Sequence, residues 1–70
     1  MIEVGSCWRY NMGDLIMVVI ESTMIRAGTG DVRGVIIKHI DDSTATELKI
    51  PVSTLLRFFT QLTPIEMELL

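Results

Sequence analysis

The chain has one cysteine, one histidine, one tryptophan, one tyrosine and two prolines in 70 residues. A lone Cys7 cannot form an intrachain disulfide. Cys7 with His39 falls short of the four ligands of a structural zinc site. A chain this short buries a small share of its surface and is marginal alone. With disulfide and metal excluded, association with a partner remains as the usual aid to stability. Basic residues are also few: six Lys and Arg against nine Asp and Glu, a net charge of −3. Phosphate contacts need a basic surface, so this balance argues against nucleic acid as the main partner. The longest uninterrupted apolar run, Leu15 to Ile20, is far shorter than the roughly twenty residues of a membrane span. Residues Met1 to Tyr10 lack the apolar core of a secretory signal. The expectation is a cytoplasmic protein with no membrane partner and no cofactor.

What is abundant is apolar. Hydrophobic residues make up 49% of the chain, and mean hydropathy is +0.44. So small a fold has little interior, so some of these side chains are expected outside. Large exposed apolar patches mark interaction sites.

The residue pattern predicts a mainly β domain, either a small barrel or a curled antiparallel sheet of four to five strands with a short C-terminal helix. Ser6 to Tyr10 reads as a first strand, and Asn11 to Asp14 as a turn. Leu15 to Met24 is rich in β-branched residues and reads as the second strand. Its apolar run does not alternate, so both faces read as buried near Leu15 and Ile20. Ala27 to Asp31 reads as a glycine-rich loop and Val32 to Ile40 as the third strand. Gly34 inside it signals a bulge or a close backbone approach. Asp41 to Ser43 reads as a turn and Thr44 to Ile50 as an alternating strand. Pro51 ends that strand. Leu55, Phe58, Phe59 and Leu62 form a helical stripe, so a helix is expected over 54–62 with Ser53 as its cap. Residues 1–63 are taken as the domain and 64–70 as a tail. Thr63 and Glu66 have capping-box spacing and Pro64 suits a first helical turn, whereas Ile65, Met67 and Leu69 alternate as in a strand. The cap and the proline favour helix.

Motifs for chemistry are weak. Gly28-Thr29-Gly30 lacks the lysine and the following helix of a phosphate loop. Asp41-Asp42 lacks the other ligands of a calcium loop. Ser6, Cys7 and His39 could supply a nucleophile and a base, but no surrounding motif makes them a catalytic set. No catalytic residue and no metal ligand is assigned, and an enzyme is the least favoured class. The candidate protein-binding residues are Met17 and Val19 on an outer face of the second strand, Arg26 and Arg33 flanking the glycine loop, and Ile65, Met67, Leu69 and Leu70 in the tail. The competing reading of Met17 and Val19 is core packing. That of the arginines is a solvated hairpin tip.

Gly5-Ser6-Cys7-Trp8-Arg9, two hairpins, and Ile50 to Leu62 resemble a loose class of small SH3-like barrels of bacteria and phages. Gly5 and Trp8 match its opening Gly-x-x-aromatic, and Leu56, Phe59 and Leu62 its closing Leu-x-x-Phe-x-x-Leu. The resemblance implies an SH3-like barrel and an accessory factor that binds or inhibits a larger host or phage protein. The long apolar second strand and the acidic-apolar tail depart from the pattern. The leading expectation is therefore a non-enzymatic protein-binding module, self-associating or bound to a larger protein. The alternative is a nucleic-acid-binding barrel using Arg9, Arg26, Arg33, Lys38 and Trp8.

Overall fold

A computed structural model describes residues 2–42 and 44–70. Ser43, expected in the second turn, lies outside the described residues. The strands are β1 (Cys7–Tyr10), β2 (Ile16–Ala27), β3 (Gly30–His39), β4 (Leu48–Pro51) and β5 (Phe59–Gln61); α1 (Val52–Phe58) and α2 (Pro64–Glu68) follow β4 and β5. All pairings are antiparallel, in the order β4-β3-β2-β1-β5. The protein is mainly β, as expected. The sheet curls but does not close: β4 and β5 remain its two edges.

β2 and β3 dominate the molecule. A twelve-residue strand spans about 40 Å at about 3.3 Å per residue, and the longest dimension is 42 Å against 24 and 22 Å for the others. The expected five-residue loop between them is only Gly28-Thr29, because the ladder continues to Ala27↔Gly30. Gly28, at φ +60°, takes the first position of this tight turn, where a primed turn requires positive φ.

A bulge between Val19 and Glu21 shifts the register of β2 against β3. Before it, Met17 and Val19 face the core; after it, Ser22, Met24 and Arg26 share the face of Val35 and Arg33. Gly34 is a close approach rather than the bulge. A Cβ there would lie 2.6 Å from Cγ1 of Ile25, closer still to its Cδ1, and 3.0 Å from the Ile50 carbonyl oxygen. Ile25 is laid across the glycine.

The core joins Trp8, Met17, Val19, Val35 and Ile37 from one sheet face to Leu55 of α1, with Ile2, Ile50, Val52 and Phe59 at its border. Two expected elements are revised. Thr44 to Glu47 do not join β4. Asp42 Oδ1 accepts hydrogen bonds from the Thr44 N–H (2.9 Å) and hydroxyl (2.7 Å), which holds this stretch in a turn. The helix begins at Val52, its cap is Pro51 with no side-chain bond, and it stops at Phe58. Phe59 to Gln61 instead pair with Tyr10, Arg9 and Trp8. The Tyr10 and Phe59 rings meet at 5.3 Å, and Thr60 donates to Asn11 Oδ1 (2.6 Å). Strand pairing gives these residues partners that another helical turn would forgo, so the tertiary contact overrides the helical stripe.

Candidate interaction surface

Of the residues assigned to binding, Met17 (4% exposed) and Val19 (1%) sit in the core. The outer-face reading of these two is corrected: their parity before the bulge places them beside Trp8 and Ile37. The strand's exposed methionine is Met24, 56% exposed, because it lies on the arm beyond the reach of β1 and β4.

Arg26 and Arg33 lie on one face of the β2–β3 hairpin, as its closure demands. Arg26 is in register with Asp31, and Arg33 with Met24. From Met24↔Arg33 to Ala27↔Gly30 no other strand among the described residues flanks the hairpin, since β1 pairs only with residues 16–18 and β4 only with 34–37. These four pairs form an arm about 13 Å long, at about 3.3 Å per pair. An isolated two-stranded ribbon is marginal in water, so the arm depends on the sheet at its root.

The tail is a formed helical turn. The Thr63 hydroxyl accepts from the Glu66 N–H (3.2 Å), and Glu66 Oε1 accepts from the Thr63 N–H (3.0 Å), completing a capping box with Pro64 in the first turn. Glu66 also reaches Arg9 at 3.7 Å. The Thr63 amide, then its hydroxyl, and more weakly Arg9 hold the Glu66 carboxyl below its ordinary pKa. Held in this way, the turn still presents Ile65 (72% exposed) and Leu69 (82%), four residues apart on one side, with Met67 and Leu70 also exposed.

The basic set expected of a nucleic-acid surface is scattered. Arg9 is engaged by Glu66. By register, Lys38 lies on the sheet face opposite to Arg26 and Arg33. Trp8 is buried, so it offers no stacking platform; its Nε1–H donates to Ser6 Oγ (2.9 Å), which donates to the Glu3 carbonyl (2.6 Å). Ser6 thus anchors the tryptophan. Cys7 and His39 lie on opposite faces: Trp8, next to Cys7, shares its row with Met17 and His39. The Cys7 thiol is buried, and burial raises its pKa. His39 Nδ1 accepts from the Asp41 N–H (3.2 Å).

No helix among the described residues is long and apolar enough to cross a membrane. Comparison with family models, curated proteins and solved structures finds no match to this chain.

Proposed function

We propose that this protein is a non-enzymatic protein-binding module whose principal docking element is α2 with the two residues after it. The observation that carries the reading is the tail itself: a turn fixed by a complete capping box and an ion pair, with Ile65, Leu69 and Leu70 held in solvent. Ordering a helical end costs conformational entropy. An apolar set that is already ordered loses less on binding and gains its burial energy in full. We further propose membership of the small SH3-like class. The order β4-β3-β2-β1-β5, with a helical turn before β5, supports it.

The test is affinity capture from an extract of the source cell, using wild type and the Ile65→Ser/Leu69→Ser variant. Both substitutions are at exposed positions, so circular dichroism should be unchanged. The reading expects a protein retained by wild type and lost by the variant. Equal retention by both, or none by either, would overturn it.

A further inference from the structure

The β2–β3 arm carries an unfilled hydrogen-bonding edge. The Ile40 N–H donates to the Ile16 carbonyl (3.0 Å), so even-numbered residues of β3 face β2 and alternate positions face away. Along the arm, Glu21, Thr23, Ile25 and Ala27 are the β2 partners of those even positions. Ser22, Met24 and Arg26 therefore direct their N–H and C=O groups to the opposite side. Among the described residues no strand lies there. β1 stops covering β2 where the Ser6 carbonyl accepts from the Val19 N–H (2.9 Å) and the Gly5 N–H donates to the Val19 carbonyl (2.7 Å). Beyond Gly5 the N-terminal segment turns aside, and Ile2 packs at the border of the core.

We propose that this edge pairs with the same edge of a second copy of the chain, antiparallel about a two-fold axis at Met24. This goes beyond the α2 reading, since it uses another surface and names its occupant. Three features favour a second copy. Two-fold symmetry sets Ser22 opposite the other copy's Arg26 twice and Met24 opposite Met24. All three outward residues of each copy are then hydrogen-bonded, and the sheets join as one. Next, the charges are compatible. Arg26 of each copy arrives beside the uncharged Ser22, on the face away from Glu21, so no like charges oppose one another along a seam whose centre is uncharged. Pairing two residues further toward the tip would set Arg26 against itself, which like charges disfavour. Finally, the edge of β3 on the other side of the arm has only Asp31 and Arg33 facing outward. Pro51, paired with Gly34, stands where a second hairpin would continue.

The experiment combines solution mass with directed cross-linking in the full chain. Light scattering over a concentration series should give twice the 7.9 kDa chain mass. Met24→Lys, which sets two cations on the axis, should return the mass to one chain with an unchanged circular dichroism spectrum. Met24→Cys should form a disulfide-linked dimer in air, since facing strand residues lie within disulfide reach, whereas Leu69→Cys should not. Cys7 is buried and does not compete. A wild type that stays monomeric at all concentrations, a dimer that survives Met24→Lys, or cross-linking at Leu69 in place of Met24 would overturn the pairing. A monomer leaves the α2 reading to its own capture test, and a failed capture leaves this dimer standing.

Discussion

Three residues carry consequences that depend on single atoms. Trp8 keeps its indole N–H paired through Ser6. Ser6→Ala removes that acceptor. A part-buried donor left without a partner costs roughly 1–3 kcal/mol, and the only tryptophan reports the change directly. Denaturant unfolding followed by Trp8 fluorescence should show a lower midpoint with an unchanged slope. Cys7 is buried with a raised pKa, so little thiolate is present at neutral pH. Alkylation by iodoacetamide should be slow in the native protein and fast in denaturant; equal rates would contradict the burial. Gly34 was legible in the sequence as either a bulge or a close approach, and Ile25 decides which. Gly34→Ala should cost about 1–3 kcal/mol from overpacking, and adding Ile25→Ala should restore part of that loss in a double-mutant cycle. Independent, additive effects would mean that the two side chains do not meet.

Among the elements, α1 and α2 show opposite relations to the sequence. The capping box of α2 is local: Thr63, Pro64 and Glu66 lie within four residues, so reading them sufficed. Its strength follows pH. The native carboxyl of Glu66 titrates below its unfolded value. Its stabilising effect is therefore complete above the unfolded value and is lost as pH falls through the lower folded value. Amide resonances of residues 66–69 should move toward random-coil positions on acidification through that window, and Glu66→Gln should reduce this pH dependence. The helix α1 was expected over 54–62 but spans 52–58, because the pairing partners of Phe59 to Gln61 lie some fifty residues earlier in β1. Leu55, its fully buried residue, holds α1 on the sheet. Leu55→Ala should cost about 2–5 kcal/mol, a large part of the stability of so small a domain, and thermal melting would register it.

At the scale of the whole molecule, a long hairpin runs through a small curled sheet and projects beyond it. Twelve large apolar side chains stay exposed among the described residues, and they concentrate neither in β2's core-facing half nor in one patch. Val4, Met12, Leu56 and Phe58 join Met24 and the tail. The arm and α2 are separate surfaces, so their losses should be separable. Deleting residues 65–70 should abolish capture of a protein partner while leaving the solution mass of the assembly at two chains. Met24→Lys should do the reverse. Loss of both properties in either variant would mean that one surface serves both.

The sequence by itself determined the β class, the main hairpin, the capped tail and the excess of apolar side chains, because each rests on composition or on residues a few positions apart. It also excluded a disulfide by count. Only the tertiary structure decided that the sheet stays open, that Met17 and Val19 are core, and that Met24 is not. The flanking elements decide these burials: Met17 and Val19 lie where β1 and α1 cover the sheet, and Met24 lies beyond them on the arm, on the face of Val35 to which the bulge at Val19/Glu21 brings it. With a side-chain period of two, one extra residue exchanges inside for outside along everything that follows, and no residue at that position announces it.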